Sequence, residues 1–426
     1  MSDSTMDHDD ITPPSRTETT CRSCGSDGLK VFLDLGNMPL SDRFVSPHEA
    51  PEDEPFFPLQ VAYCPACALV QITETVDPRI LFAQDYPYYS SISDTLQQHT
   101  RANVEELIAT RKLGDDALVV ELASNDGYLL KHYAAAGIPV LGIDPAEGPA
   151  KQAQAIGVNT LNDFFTLELA RQLAADGVAA DVIHGNNVLA HVADLNGFVE
   201  GIRTLLKPDG VAVIEVPYLG HLIDKIEFDT VYHEHLCYFS LTALDHLFRR
   251  HGLFLNDFRH LDIHGGSLRL FVQRVENPTE HMRSTLALEH ATGLDRFDYF
   301  ADFAARVNAL RDSLRERLLA LKAKGKSIAG YGAAAKATIM INFCGLGPDI
   351  LDFVADKNKH KQGKLMPGTH VPVVAPEQIE QEKPDYMLIL AWNFAVEIMS
   401  QQAEFARRGG QFILPVTEDL LVAKAG

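Results

Sequence analysis

The sequence has no run of about 18 apolar residues, and it therefore contains no candidate transmembrane helix. Its first ten residues are polar and acidic and lack the apolar segment of a signal peptide, so we expect a cytoplasmic protein. Basic residues are few, with 37 lysines and arginines against 58 aspartates and glutamates and a net charge of −21. That balance argues against binding to nucleic acid or to an anionic membrane, because both need a basic surface. A local basic pocket for an anionic small molecule is still compatible with it.

The length and composition are those of a folded globular protein. The 426 residues suffice for about two to four domains. Apolar residues make up 46% of the chain and charged residues 22%, which is ordinary for proteins with buried cores. Residues 1 to about 17 are polar, include Pro13-Pro14 and predict a disordered tail.

Cysteine is scarce, but four of the six cysteines form two paired motifs. Cys21-Arg-Ser-Cys24 and Cys64-Pro-Ala-Cys67 supply four thiolates, the ligand set of a structural zinc site. Four protein ligands leave no open position, so the metal would hold the fold and take no part in chemistry. The segment between the motifs should form β structure, with strands at Val31–Leu35 and Leu59–Tyr63. Disulfides or a redox pair are the alternatives, and disulfides are disfavoured in a cytoplasmic chain.

A β-turn-α-β pattern follows the cysteine motifs. The apolar run Ala117–Ala123 ends in Ser124-Asn-Asp-Gly127, and the run Ile138–Ile143 ends in Asp144. In a nucleotide-binding sheet, an acid at the second position accepts the two ribose hydroxyls. Only Gly127 of the G-x-G-x-x-G pattern is present, so a nucleoside without phosphates, such as S-adenosylmethionine, fits better than a dinucleotide. A Rossmann-like turn without this ligand is the alternative.

The alternation of strands and helices continues to about residue 273. A third strand, Asp181–Gly185, leads into Asn186-Asn187, and a further strand is predicted at Val211–Val216. Closing strands are predicted at 254–262 and 267–273. This order predicts an α/β domain with a largely parallel sheet covered on both faces. We expect the methyl donor to be held by residues that follow its strands: Glu121, Ala123, Asn125, Asp126, Gly127, Asp144, Asn186 and Asn187.

Two aromatic segments are candidates for the reacting groups. Tyr232-His-Glu-His235 places a phenol, two imidazoles and a carboxylate in a row, and such groups move protons near neutral pH. It lies about 15 residues beyond a predicted strand, where α/β sheets place their sites. The zinc-protease pattern is excluded, because its second histidine would fall at Cys237. Near Asp85–Ser93, Tyr86 and its neighbours either form a core corner or line a site, since aromatic faces attract cations such as a sulfonium.

The last part of the chain predicts a second α/β unit. A long helical pattern from Arg296 to about Lys324 precedes strands near 327–332, 351–355, 386–391 and 411–414. Gly330-Tyr-Gly-Ala-Ala-Ala-Lys336 resembles an anion-binding turn, in which glycines open a helix N-terminus to a phosphate. Lys357, Lys359 and Lys361 are basic neighbours, or else solvated surface charges. We expect the acceptor to contact Tyr86, His233, Gly332, Lys336, Lys357, Trp392 and Asn393.

Taken in order, these motifs resemble the S-adenosylmethionine-dependent sugar C-methyltransferases, which act on nucleotide-linked 4-keto-deoxysugars. The resemblance extends from about Cys21 to Leu421. It implies a zinc-binding domain at 18–85, a class I methyltransferase domain at 86–290 and a Rossmann-like sugar-nucleotide domain at 291–426. It implies that His235 is the base and that Tyr232 stabilises the enolate.

The resemblance further implies that Glu234 contacts the sugar, with Tyr86 as a fourth catalytic residue. The acceptor would be a dTDP- or GDP-linked sugar in deoxysugar biosynthesis, and the protein a monomer or small homo-oligomer.

Three alternatives remain open at the level of sequence. An O- or N-methyltransferase would use the same donor, with the base removing a proton from a heteroatom. An inactive methyltransferase fold that binds protein or RNA is disfavoured by the acidic balance and by the intact Asp144. A nicotinamide oxidoreductase is disfavoured by the missing glycines.

Overall fold

The computed structural model describes residues 14–49, 54–81, 89–262 and 266–416, together with the backbone of 421–422. Its first part is rich in β structure and confirms the predicted strands between the cysteine pairs. The elements are β1 (Ser15–Thr17), β2 (Lys30–Pro39), β3 (Phe56–Tyr63), β4 (Val70–Ile72), β5 (Glu74–Val76) and α1 (Pro78–Leu81). Strands β2, β3 and β4 pair antiparallel in sequence order, while β1 pairs with β5.

The central part is an α/β unit around a seven-stranded sheet. Its elements are α2 (Asp94–Arg111), β6 (Val119–Leu122), α3 (Leu130–Ala135), β7 (Val140–Ile143), α4 (Glu147–Ala155), β8 (Thr160–Leu161), α5 (Leu167–Ala175), β9 (Ala180–Asn186), α6 (Leu195–Leu205), β10 (Leu206–Pro217), α7 (Leu219–Asp224), β11 (Cys237–Tyr238), α8 (Leu241–Arg250), β12 (Phe254–Leu261), β13 (Ser267–Gln273) and α9 (Glu280–Thr292).

The topology of this sheet places the site. The strand order is β12-β13-β10-β9-β6-β7-β8, in which the five strands from β6 to β10 run parallel and the closing hairpin is antiparallel. Strand β6 is buried along its whole length, as expected for a strand covered by helices on both faces. The order reverses at β6, between β7 and β9, and ligands bind outside the carboxyl ends of the strands at such a point. The turns after β6 and β9 therefore share one edge.

Side-chain caps start several of these helices. Ser93 accepts a hydrogen bond from the backbone N–H of Leu96 at the start of α2. Asp194 and Ser240 do the same for α6 and α8. Each cap satisfies a backbone donor that the first helical turn leaves without a partner.

The C-terminal part is a second parallel α/β unit. Its elements are α10 (Phe303–Ala323), β14 (Ile328–Tyr331), α11 (Ala335–Phe343), β15 (Val354–Ala355), β16 (Val373–Val374), α12 (Gln378–Glu382), β17 (Tyr386–Ile389), α13 (Ala395–Gln401), α14 (Ala403–Arg407), β18 (Gln411–Ile413) and β19 (Leu421–Val422). The strand order is β16-β15-β14-β17-β18-β19, with only the last pair antiparallel. The order reverses at β14, so the glycine turn after β14 lies at the switch point of this sheet.

The long helix predicted from Arg296 begins later than expected. A short 3-10 turn at Phe297–Phe300 precedes α10, which starts at Phe303. Phe300 is fully buried, and its ring packs against Phe32 at 4.9 Å and Tyr63 at 5.3 Å. Burial of this aromatic ring against the N-terminal sheet outweighs the continuation of one helix.

The three parts share one apolar core. Buried residues of β2 and β3, of the central sheet and of α10 and α11 belong to a single contiguous cluster. The two-residue strand β11 extends this continuity, because it pairs antiparallel with β4 and becomes the edge of the N-terminal sheet. Among the described residues, no helix has both the length and the apolarity needed to cross a membrane.

Candidate active site

The four motif cysteines converge as the sequence predicts. The sulfur atoms of Cys21 and Cys67 are 3.5 Å apart, those of Cys24 and Cys64 are 3.6 Å apart, and all four lie within 4.8 Å of one another. Tetrahedral zinc with Zn–S bonds of about 2.3 Å needs sulfur separations of about 3.8 Å. The cysteines therefore fit a zinc ion, and none of the four is disulfide-bonded. Three of the four are buried, which suits a structural ion.

The turn after β6 is built to bring backbone close to a ligand. Ala123, Asn125 and Gly127 all have positive φ, at 56°, 49° and 75°. Asp144 holds this turn in place, since its carboxylate accepts hydrogen bonds from the backbone N–H of Asn125 and of Ala146, both at 2.8 Å. A side chain at Gly127 would approach Ala153 and Val158 to within 3.2 Å, so this glycine serves the packing of the turn on α4.

Buried polar atoms around this turn lack partners within the described residues. Both carboxyl oxygens of Glu121, one of Asp126 and the side-chain oxygens of Asn186 and Asn187 are among them. Such atoms are rare in folded proteins unless a ligand or water pairs with them. Burial, with a smaller contribution from Asp144, raises the pKa of Glu121 well above its usual value. Because carboxylates and amides suit the amino and hydroxyl groups of a nucleoside amino acid, these residues fit S-adenosylmethionine.

A charged network under this turn was missed by the sequence reasoning. Arg269 on β13 donates to Glu215 on β10 at 2.7 Å, and His99 on α2 lies 2.9 Å from the same carboxylate. Glu215 is fully buried, and the hydrogen bond to His99 and the charge of Arg269 outweigh burial and lower its pKa. The sequence signal for this network is a glutamate within the predicted strand Val211–Val216 and an arginine within the predicted strand 267–273. The network anchors α2 to the sheet.

Tyr232 and His235 face each other in the segment that follows α7. The Tyr232 hydroxyl is 2.9 Å from Nε2 of His235, and the two rings stack with centroids 4.0 Å apart. Nδ1 of His235 is 3.0 Å from the carbonyl oxygen of Thr230. A carbonyl oxygen only accepts, so Nδ1 carries the proton and Nε2 keeps a lone pair. Both side chains retain accessible surface, whereas His233 and Glu234 between them are buried.

His191 is a neighbour that sequence reasoning did not single out. Its ring packs edge-on against His235 with centroids 4.7 Å apart. Burial lowers the pKa of His191 to about 4, so the ring is neutral at physiological pH. His191 follows the Asn186-Asn187 turn at the carboxyl end of β9. Because α/β sheets place their sites at such ends, this position in the sequence could have identified it. His191 connects the donor edge of the sheet to the Tyr232–His235 pair.

Glu234 and His233 point toward the N-terminal part. Glu234 is 5% exposed, and burial, followed by the nearby Asp42, raises the pKa of its carboxyl to about 8 although backbone amides of Ser41 and Asp42 oppose this. His233 is fully buried, with Nε2 3.2 Å from the carbonyl oxygen of Pro58. Its ring is enclosed between this segment and β3, and the contact of His233 with the acceptor stays a prediction.

Lys336 and Trp392 come together against the same segment. The Lys336 ammonium lies 4.0 Å from the centre of the Trp392 ring, and burial lowers its pKa against the field of Asp229 and Glu227. Trp392 Nε1 donates to the Asp229 carboxylate at 2.7 Å. Burial raises the pKa of Asp229 to about 6 and that of Glu227 to about 7. The ammonium of Lys336 thus lies over the Trp392 ring and in the field of two acidic side chains.

The lysines of the expected basic pocket differ in their surroundings. Lys361 donates to the carbonyl oxygen of Ala333 at 2.8 Å and lies 3.5 Å from the Asp42 carboxylate, so it bridges two parts of the chain. Lys357 is exposed. Lys336 lies in the field of Asp229 and Glu227. That the glycine turn, Lys336 and the three later lysines form a phosphate pocket stays a prediction.

Two of the other expected acceptor residues lie at the rim of the C-terminal sheet. Gly332 has a φ of 91°, and a side chain there would approach Ala391 to 2.5 Å, so close packing of β14 against β17 requires glycine. Asn393 is partly exposed in the 3-10 turn Trp392–Phe394. Tyr86 lies outside the described residues.

The chain matches three family models: a zinc binding domain over residues 21–82, a methyltransferase domain over 95–255 and the C-methyltransferase C-terminal domain over 262–417. It is 36% identical to the C-methyltransferase NovU of Streptomyces niveus over 406 residues, which cover 95% of this chain and 96% of the relative. An O-methyltransferase of ubiquinone biosynthesis from Bartonella tribocorum is 29% identical over 101 residues, covering 24% of this chain and 41% of that one.

Similar solved structures cover less than half of the chain. Magnesium protoporphyrin IX methyltransferase from Synechocystis has a TM-score of 0.33 and 16% identity, covering 43% of this chain and 82% of its own. The 1,6-didemethyltoxoflavin-N1-methyltransferase of Burkholderia thailandensis has a TM-score of 0.35 and 18% identity, covering 49% and 96%.

Proposed function

The chain belongs to the S-adenosylmethionine-dependent C-methyltransferases that carry a zinc-binding N-terminal domain, and from that premise we propose its acceptor and its base. The acceptor is a 4-keto-deoxysugar linked to a nucleotide diphosphate, methylated at C3, beside the ketone. His235 removes the proton from that carbon, and the resulting enolate takes the methyl group.

The observation that carries this proposal is the 3.0 Å contact between Nδ1 of His235 and the carbonyl oxygen of Thr230. The Thr230 carbonyl fixes the proton on Nδ1 and leaves the Nε2 lone pair directed toward Tyr232. An imidazole has an ordinary pKa of about 6.5, so a neutral ring is a suitable base near neutral pH. A carbonyl group is needed in the acceptor, because only a C–H beside it is acidic enough for such a base.

Tyr232 is the proposed donor to the oxyanion. Its hydroxyl is hydrogen-bonded to Nε2 of His235 in this structure. The hydroxyl must therefore rotate away before Nε2 can approach the C3–H group of the acceptor. Turned toward the acceptor oxygen, the phenol stabilises negative charge as the enolate forms. The neutral His191 ring packs edge-on against His235.

The donor site follows from the buried acceptors around the turn after β6. Asp144 would hold the ribose, while Glu121, Asp126 and Asn187 would hold the polar amino-acid end of S-adenosylmethionine. When bound, this cosubstrate supplies an electrophilic methyl group. The protein residues need only hold it at the edge of the sheet that also carries His191.

The acceptor is proposed to lie between the 228–235 segment and the C-terminal unit. Gly332, Asn393 and the accessible parts of Lys336 and Trp392 line that side, with Glu234 beneath the segment. Lys357 is exposed and is retained only as a contact for an extended nucleotide. The Rossmann-like switch point at β14 supports placing the nucleotide there.

The test separates proton removal from methyl transfer. His235→Asn should retain S-adenosylmethionine binding by calorimetry and lose at least about 100-fold in turnover, within the range for a general base. The same variant should fail to exchange the C3 hydrogen of the keto sugar for deuterium in heavy water, an exchange that needs no methyl donor. His246→Asn, on the exposed face of α8, is the matched control and should behave as the unchanged protein.

Two results would overturn the proposal. One is wild-type exchange and turnover in His235→Asn. The other is a product in which NMR shows a new O–CH3 group instead of C–CH3. A panel of dTDP- and GDP-linked keto sugars, read by the mass gain of one methylene unit, identifies the acceptor.

A further inference from the structure

The 3-10 turn Phe228–Thr230 makes two contacts that face in different directions. Its last residue, Thr230, offers the carbonyl oxygen that holds the proton on Nδ1 of His235, at 3.0 Å. Its middle residue, Asp229, directs its carboxylate to the indole N–H of Trp392, at 2.7 Å. Adjacent residues of one short turn therefore connect the base to the C-terminal unit.

The C-terminal unit contacts this turn at two residues, Asp229 and Phe228. Asp229 is fully buried, and Trp392 Nε1 is the partner of one of its oxygens, while the other has none in the described part of the chain. Phe228 is also fully buried, and its ring packs on Phe343 at the end of α11, with centroids 5.3 Å apart. The turn is therefore held against the C-terminal unit through Asp229 and Phe228.

We propose that Trp392 and Asp229 are positioning residues: their hydrogen bond fixes the Phe228–Thr230 turn, and through the Thr230 carbonyl it sets the orientation and tautomer of His235. This inference rests on the proposed role of His235 as the base. A donor-only indole needs an acceptor when buried, and a carboxylate is a strong one. A loosened turn would let the Thr230 carbonyl move, and the imidazole would lose the partner that keeps its Nε2 unprotonated.

Variants at the two positions separate this role from packing. Trp392→Phe keeps an aromatic ring and removes the donor, while Asp229→Ala removes the acceptor. Asp229→Asn keeps an acceptor oxygen of the same shape and should restore most of the activity. Thr338→Val is the matched control, because Thr338 also makes a buried hydrogen bond between domains, to the Ser41 carbonyl at 2.9 Å, and this bond does not involve the turn.

The expected result is a loss in the proton-removal step alone. Trp392→Phe and Asp229→Ala should each lower kcat and the deuterium-exchange rate by about 10- to 100-fold, the size expected for a misplaced catalytic group. KM for S-adenosylmethionine should stay within about twofold in both variants, and KM for the acceptor should do so in Asp229→Ala, which leaves the acceptor-lining residues unchanged. The double variant should be little worse than either single one, because both remove the same contact. Thr338→Val should keep its kcat.

Fluorescence gives a readout that does not depend on activity. Trp392 is the only tryptophan of the chain, so all indole emission comes from this contact. Asp229→Ala should shift the emission maximum, while Asp229→Asn should leave it close to the unchanged protein.

The outcomes distinguish this inference from the proposed function. If His235→Asn is inactive but Trp392→Phe and Asp229→Ala turn over at wild-type rates, the positioning role fails and the base assignment survives. If His235→Asn is active, the base assignment itself fails. Equal losses in Asp229→Asn and Asp229→Ala, or a matching kcat loss in Thr338→Val, would also overturn the positioning role.

Discussion

Replacing Glu234 by glutamine should make the protein more stable at neutral pH, although it removes a carboxyl from the centre of the candidate site. Glu234 is 5% exposed, and burial with the nearby Asp42 raises its pKa from 4.5 to about 8. The native state therefore keeps a proton on this group that the unfolded chain has already released. Glutamine has the same shape and no proton to lose, so Glu234→Gln avoids the free-energy cost of keeping this carboxyl protonated in the native state.

The size and sign of the effect follow from the two pKa values. Below pH 4.5 both states are protonated, and the substitution should change the free energy of unfolding little. Between pH 4.5 and 8 the native state binds more protons, so the stability of the unchanged protein falls as pH rises. The penalty reaches about 3 kcal/mol at pH 7 and about 5 kcal/mol above pH 8, since each unit of pKa difference is worth about 1.4 kcal/mol. Glu234→Gln should regain this amount.

The assay is denaturant unfolding of the zinc-loaded protein at pH 5, 7 and 8.5, followed by circular dichroism. Other buried acids titrate equally in both proteins, so the difference between the two curves isolates Glu234. Glu316→Gln, on the exposed face of α10, is the control and should give a difference that is flat with pH. A flat difference for Glu234→Gln as well would refute the reasoning that this carboxyl is held neutral.

Three further predictions concern the metal, the donor and the domain contacts. The purified protein should carry about one zinc per chain by elemental analysis, and Cys64→Ser should lose the ion together with several kcal/mol of stability; absence of zinc from the unchanged protein would contradict the four-thiolate site. Asp144→Ala should weaken S-adenosylmethionine binding by about 10- to 100-fold in calorimetry, because it removes an acceptor and releases the turn, while the exposed Asp176→Ala should bind normally. Glu54→Ala should cost about 2 to 4 kcal/mol in unfolding, since the buried carboxylate accepts from Gly368 N–H and His370, each at 2.8 Å; an unchanged stability would show that this contact is dispensable.

The fold was largely predictable because its strands are buried on both faces. Such strands appear in sequence as short apolar runs, and Val119–Leu122 and Ala180–Asn186 were found within a few residues of their ends. The Cys-x2-Cys pairs were equally clear, since few other arrangements require that spacing. The strand Cys237–Tyr238 was not predictable, because two residues carry no periodicity and their partner lies in another part of the chain.

The site was predictable only where the chemistry is local in sequence. Tyr232 and His235 contact each other within one turn of chain, so the motif itself suggested the pair. The burial of His233 was not predictable, because neighbours in a nonhelical segment point to different sides, and sequence does not say which side faces the core. The contacts His191–His235 and Asp229–Trp392 join distant residues, and no local pattern predicts them.

The pairing of Cys237–Tyr238 with β4 has a consequence for how this protein is made and dissected. During synthesis, the β4 edge of the N-terminal sheet has no partner until Tyr238 has been made. A fragment that ends after α1 would leave this edge of β4 unpaired, and unpaired strand edges pair with other chains. Attempts to express the cysteine-rich part by itself should therefore yield aggregates, unless residues 236–239 are supplied as a grafted strand.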